Sequence, residues 1–323
     1  MRKLKVLYLG VFQQHCSDKY RVRGFGQANI ISASIDYRSQ FKEGGKKGLW
    51  RKVEGYLKDF KPDIVFVNKG EKFKAINIKL LKQRYPDPKW LLFYGDHLIT
   101  IPDFLKENVK MYDAVLVETD DDEYCGKLYD AGAKDVFYHH SATDLSTFQK
   151  HSDIPEVSDV AFFGNNYSTF ELSQMREDMI KAIMKSDFKL ELYGASTWWG
   201  QCKGLRWGED YSKAASRSKI ILGISTTAKM NKFASNRVWN SMAAGFHLLH
   251  YFKGIEEIFV NHQHLVWFHD IVEMLDLIDY YTKHESERQR IYSRGLALIK
   301  TTHTYYQRAE ELKEIYYKWM GGK

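Results

Sequence analysis

The sequence predicts an α/β protein of two Rossmann-like, doubly wound domains facing a central cleft. Three observations predict it. Short β-branched and aromatic runs alternate with longer stretches of helical period, as in βαβ units. The runs are apolar on both faces, as strands of a parallel sheet covered by helices must be. They also fall into two series on either side of residues 141–156 (SATDLSTFQKHSDIPE). That polar, proline-bearing stretch has no strong period and reads as an interdomain linker.

The first series holds expected strands at 5–9, 63–67, 90–94, 114–117 and 136–138, with sequences such as DIVFV and WLLFY. The second holds 160–163, 190–193, 219–224 and 247–251. Helices are expected at 49–60, 74–84, 121–131, 170–185, 236–244, 271–282 and 285–300. The helix at 121 opens on an acidic run that favours a helix N-terminus, and the one at 236 stops at Gly245. A last amphipathic stretch, 305–319, carries Tyr and Leu on one side. The expected division is an N-terminal domain over 1–145, a C-terminal domain over 146–303 and a terminal helix over 304–323 packing back toward the N-terminal domain.

At 323 residues and 44% hydrophobic content the chain can bury two ordinary cores. No apolar run reaches the ~18 residues of a membrane span. The start, MRKLKVLYLGVFQQHCSD, has a basic opening and a short apolar run but no small-residue cleavage site. It reads as a first buried strand. Cys16, Cys125 and Cys202 lie far apart without a CxxC pair, which points to a reducing, cytoplasmic setting and away from disulfides or a zinc knuckle. The formal charge of +7 favours anionic partners: nucleotides, nucleic acid or anionic lipid surfaces.

The richest stretch is 235–259, SNRVWNSMAAGFHLLHYFKGIEEIF. It combines a polar helix entry, a small-residue helix, a glycine stop, a buried strand and a paired-carboxylate turn, as a nucleotide-binding crossover requires. In doubly wound sheets ligands bind beyond the strand carboxyl ends, at switch points. A diphosphate seeks helix N-termini there. Asn236 and Arg237 open the helix, and Arg237 can contact phosphate bidentately. Glu256 and Glu257 follow the next strand, where carboxylates could accept from ribose or sugar hydroxyls. Two loops open on the same side. Gly164 and Asn165 follow one strand, and Tyr193 and Gly194 end another, before Trp198 and Trp199. Glycine there lets backbone approach a ligand.

The ordered set VAFFGNNYS, Arg176, LELYGAS, SKIILGIS and SNRVWNSMAAGFHLLHYFKGIEEIF resembles the two-domain (GT-B) glycosyltransferases, in particular the CgeB-like, glycosyl transferase group 1 family. The N-terminal half is similar more weakly, through KVLYLG, KPDIVFVNKG and the strand ending in Gly95, Asp96 and His97. The resemblance implies a hexosyltransferase-type enzyme whose donor is a nucleotide sugar, a UDP-sugar by family analogy, with no obligatory metal. One departure matters. Where the family places a glutamate that would hold the donor ribose, this chain has Asn240, which can accept and donate but carries no charge. A catalytically weak sugar-nucleotide-binding protein is therefore an alternative expectation.

An inverting transferase also needs a base near its acceptor. Asp96 is the preferred candidate, with His97 as alternative or helper; a turn or cap before Ile101–Pro102 is the competing role for Asp96. The run Asp120, Asp121, Asp122 and Glu123 starts a helix, so the dipole accounts for it without a metal. His139–His140 and the pair His262 and His264 lack a completing ligand set, and no metal is expected. The acceptor side is read from a basic stretch around Lys46, Lys47, Arg51 and Lys52, with Trp50 inside it. Cations with an aromatic nearby can track a phosphate backbone. The acceptor hydroxyl is expected on a hydroxymethylated base in DNA, or on a polysaccharide, peptide or cell-envelope glycan.

Overall fold

The computed structural model describes residues 2–96, 100–195 and 198–321, with side chains to Trp319. The chain divides into two compact units. One comprises Met1–Ser141 with Tyr305–Lys323, the other Ala142–Thr304.

The first unit holds a six-stranded sheet, β1 (Lys5–Gly10), β2 (Ile31–Asp36), β3 (Ile64–Asn68), β4 (Lys89–Tyr94), β5 (Ala114–Val117) and β6 (Val136–Tyr138). Their order is β2-β1-β3-β4-β5-β6, every pair parallel. The order reverses between β1 and β3, which makes their carboxyl ends the switch point. The central strands are buried at every position, as a sheet with both faces covered requires. β2 was not expected from sequence. Its ISASID pattern offers little apolar signal, because it is an edge strand with mostly half-exposed residues.

Helices α1 (Asp18–Gln27), α2 (Tyr37–Asp59), α3 (Ala75–Arg84), α4 (Asp103–Asn108) and α5 (Asp122–Asp130) connect the strands. α1 and α4 were also unanticipated; α1 carries two glycines, which weaken its helical signal. α2 runs from Tyr37, with a break at Gly45 (φ 58°). Only its second half read as helix in the sequence. Asp121 caps α5, its side chain accepting from the Tyr124 amide, so the acidic run builds a helix start.

The terminal helix α11 (Tyr305–Gly321) packs on α1. Gly24 permits the approach, since a Cβ there would collide with the Tyr305 carbonyl. Arg21 of α1 lies beneath, its guanidinium over the Phe93 ring at 4.2 Å and donating to His139 Nε2 at 3.0 Å.

The second unit repeats the plan with β7 (Ser158–Phe163), β8 (Leu190–Tyr193), β9 (Ser218–Gly223), β10 (His247–His250) and β11 (Val266–Phe268). The order is β11-β10-β9-β7-β8, all parallel. Its switch point lies between the carboxyl ends of β7 and β9. The helices are α6 (Ser173–Met184), α7 (Glu209–Ser216), α8 (Asn236–Ala244), α9 (Ile271–Lys283) and α10 (Glu285–Thr302). α7 and the three-residue β11 were not foreseen. On one sheet face Val160, Phe162, Leu222 and Leu248 pack against Met179 and Ile183 of α6 and Ile278 of α9. On the other, Val238 and Met242 of α8 meet Leu249 and Ile299. The stretch read as a linker is tied down where it enters this unit. Gln149 and His151 amides donate to Ser212 and Ser216 of α7, and Phe148 packs on Tyr211. Among the described residues no helix is long and apolar enough to cross a membrane.

Candidate functional site

The site assembles at the switch point of the second unit. β7 ends at Phe163 and leads into Gly164 and Asn165; β9 ends at Gly223 and leads into Ile224 and Ser225. Arg176, from the first turn of α6, joins the two ends. Its Nη1 donates to the Asn165 carbonyl at 2.6 Å, and its Nη2 to those of Ile224 and Ser225 at 3.1 and 3.0 Å. Its side chain is wholly buried and faces no carboxylate among these partners. Burial first, and the charge of Arg237 second, pull its pKa down to about 9.

Arg237 is the second cation. It sits one residue into α8, whose opening amides are unpaired by the helix itself. A Cβ on Gly164 would lie 3.2 Å from its Nη1, so the arginine lies over the glycine loop. Among the described residues its guanidinium makes no hydrogen bond or ion pair. Burial lowers its pKa, with Tyr211 acting the other way. Two arginines that repel one another and lack carboxylate partners among the described residues, beside a glycine loop and a helix N-terminus, form an arrangement that could hold an anion.

The loops are interlocked. Asn165 Oδ1 accepts from the Ala195 amide at 2.6 Å, while its Nδ2 donates to the Tyr167 hydroxyl. A Cβ on Gly194 would collide with the Gly164 carbonyl, so only glycine allows the loops this close. Trp198, one of two tryptophans flagged in the sequence, is fully buried against Phe162 and donates Nε1–H to the Gly164 carbonyl at 2.7 Å. Trp199 is exposed. Residues 196–197 of this loop lie outside the described residues.

Gly164, Asn165, Gly194 and Arg237 are thus brought together. Asn236 opens the same helix, and Asn240 lies one turn further on, buried, with Oδ1 unpartnered. Tyr193 stacks on Phe163 with rings 4.7 Å apart and donates to Glu191, a packing position at the floor of the loops. Glu257 pairs with Lys232 at 2.5 Å, and Glu256 accepts from the Tyr251 hydroxyl at 3.3 Å. Both carboxylates are exposed, on a short turn that Gly254 enters at φ 77°. Sequence reasoning overlooked His247 and Ser225. Each is buried, and each presents an unpartnered polar atom to a cavity that Arg237 also lines. His247 had read only as a strand residue.

In the first unit Asp96 follows β4 and is largely exposed, pairing with Lys69 Nζ at 2.5 Å. His97 lies outside the described residues. Glu118, at the end of β5, was also overlooked. It accepts from the Ser141 amide at 2.8 Å, and burial pushes its pKa up to about 7. A charged residue directly after a buried strand was the available signal. Lys46, Lys47, Arg51 and Lys52 are exposed along α2. Trp50 among them turns inward, packing edge-on to Phe73 with ring centres 5.2 Å apart and its Nε1 buried. No group of three or more His, Cys, Asp or Glu side chains among the described residues could hold a metal ion.

A family model described as glycosyl transferase-like matches residues 175–314, from the start of α6 into α11. The match covers less than half of the chain. Sucrose-phosphate synthase from Thermosynechococcus elongatus superposes with a TM-score of 0.70 at 11% identity, covering 99% of this chain and 100% of that one. HepE from Anabaena, in complex with UDP-glucose, gives 0.65 at 11% identity over 97% and 99%. A glycosyltransferase from Rickettsia africae gives 0.66 at 10% identity over the whole of both chains. These likenesses establish the fold, that of the GT-B glycosyltransferases. The enzyme class expected from the sequence, a GT-B transferase, stands on the family match together with this fold. No curated protein sequence matches the chain.

Proposed function

We propose that the protein transfers a sugar from a UDP-sugar to an acceptor hydroxyl, with the diphosphate held at the second unit's switch point. The supporting observation is the arginine pair, Arg176 and Arg237, gathered without a carboxylate beside the Gly164 loop and the start of α8. In the reaction the bond between the anomeric carbon and the diphosphate oxygen breaks, and a bond to the acceptor oxygen forms. Arg237 and the α8 amides stabilise the charge that develops on the leaving diphosphate. HepE, of the same fold, was crystallised with UDP-glucose, which supports UDP as the first nucleotide to test. Asn236, Asn240, Glu256 and Glu257 remain the candidates for ribose and sugar hydroxyls. In an inverting reaction the acceptor proton passes to Asp96, or to His97.

For the acceptor, the exposed Lys46, Lys47, Arg51 and Lys52 support a phosphate-bearing polymer, and DNA with hydroxymethylated bases is the version to test against neutral glycan and peptide. Trp50, turned inward, offers no stacking platform, so the cations alone carry that reading. The test is incubation with a panel of nucleotide sugars and each acceptor, with mass spectrometry of products and parallel release of free nucleotide. A sugar adduct on DNA that disappears when the four cations become alanine supports the DNA acceptor. Release of UDP without a DNA adduct moves the acceptor to a glycan or peptide. No UDP binding and no release refutes the donor reading.

A further inference from the structure

Beside Arg237 lies a small cavity of about 20 Å³. It is large enough for one water, which needs roughly 10–15 Å³ and two to four polar partners. His247, Ser225, Ser241 and Arg237 all line it.

The chemistry of the wall is specific. His247 is 3% exposed, and its Nδ1 lies 2.8 Å from the Ile221 carbonyl. A carbonyl accepts only, so Nδ1 carries the proton. Burial pulls the imidazole pKa down to about 4, which keeps the ring neutral. Nε2 is then a bare lone pair, buried and without a partner. The Ser225 hydroxyl, 2% exposed, is likewise unpartnered. Arg237 has N–H donors with no protein acceptor among the described residues. Gly223 is what admits the imidazole, since a Cβ there would lie 2.9 Å from Nε2.

We propose that His247 is a positioning residue for Arg237, acting through one buried water in the cavity they share with Ser225. The water accepts from the Arg237 guanidinium and donates to His247 Nε2 and to Ser225 Oγ, so every polar group on the wall gains a partner. Arg237 is thereby held above the Gly164 loop before any anion arrives, and less ordering is left for the ligand to accomplish. The inference rests on the donor reading of the same site. It adds that the aim of Arg237 is set from β10.

The test is UDP binding to the full chain by calorimetry for wild type, H247L and H247Q, with melting curves for each. Leucine removes the acceptor; glutamine returns a polar group near the place of Nε2. H247L is expected to weaken UDP about tenfold, the cost of a lost bond to a charged partner, with H247Q within about threefold of wild type. H247L binding as wild type overturns the inference and leaves the donor reading standing. Wild type binding no UDP overturns both. Should H247L fail to fold, nitrogen NMR of His-labelled wild type decides. Nε2 must resonate as an unprotonated nitrogen and shift when UDP saturates the site. A protonated Nε2, or one that ignores UDP, overturns the proposal.

Discussion

Arg176→Met tests how the second unit builds its proposed anion site. The arginine makes three hydrogen bonds to carbonyls of two loops, at 2.6, 3.1 and 3.0 Å, from a wholly buried position. Bonds from a charged donor contribute about 1.5–3 kcal/mol each, so the gross loss is roughly 4–9 kcal/mol. Against that stands the cost of burying a guanidinium with no carboxylate, several kcal/mol, which the mutation relieves. The net expectation is a loss of about 2–4 kcal/mol. For a domain of this size each kcal/mol moves the melting point by about 2–4 °C, giving a fall on the order of 10 °C. The mutation also frees the Asn165 and Ser225 ends of the loops and removes one of the two cations. UDP affinity should therefore fall by at least tenfold. Arg176→Lys, which keeps the charge but loses the fork, should fall between. Scanning calorimetry with and without UDP reads both effects. A Met variant that melts and binds like wild type would refute the clamp and, with it, the role assigned to buried charge.

Three further outcomes follow from the same geometry. Arg237→Ala removes a side chain with no hydrogen bond among the described residues, so its melting point should stay within a few degrees of wild type while UDP affinity drops about 10- to 100-fold; equal UDP titrations would count against the proposed anion site. Gly194→Ala drives a methyl into the Gly164 carbonyl and should lower both stability and UDP affinity, whereas unchanged values would mean that the loops yield freely. Glu118→Gln has a pH signature. The folded-state pKa of Glu118 is raised from 4.5 to about 7, so its contribution to stability is fully present below pH 4.5 and lost as pH rises through 7. That difference corresponds to about 3 kcal/mol at most. Urea unfolding at pH 5 and pH 8 should show the Gln variant gaining on wild type by up to this amount. The neutral buried His139 and His247 oppose the trend but are common to both proteins and cancel. A gap that does not change with pH would show that Glu118 titrates as a solvated carboxyl.

Much of the fold was legible because the signals are local. A central strand of a parallel sheet must be apolar on both faces, and WLLFY and AVLV declare themselves. α8 matched the expected 236–244 because a polar entry and Gly245 mark its ends. The elements that escaped notice lack such marks. β2 sits at an edge where few side chains are buried, α1 carries two glycines, and β11 is three residues long.

The sequence by itself determined the doubly wound plan and pointed to Arg237, Gly164, Asn165 and Gly194, since glycines after strands and an arginine at a helix start are chemical statements made within a few residues. Only the tertiary structure decided what those residues meet. Arg176 lies at the start of another helix and becomes a clamp because β7 and β9, far apart in the chain, end side by side. Trp50, read as the aromatic among the phosphate-tracking cations, packs on Phe73. His247 and Glu118 look like ordinary strand-end residues until burial fixes the proton of one and raises the pKa of the other. Desolvation and carbonyl placement depend on every neighbour in space, and that information is not carried by any short stretch of chain.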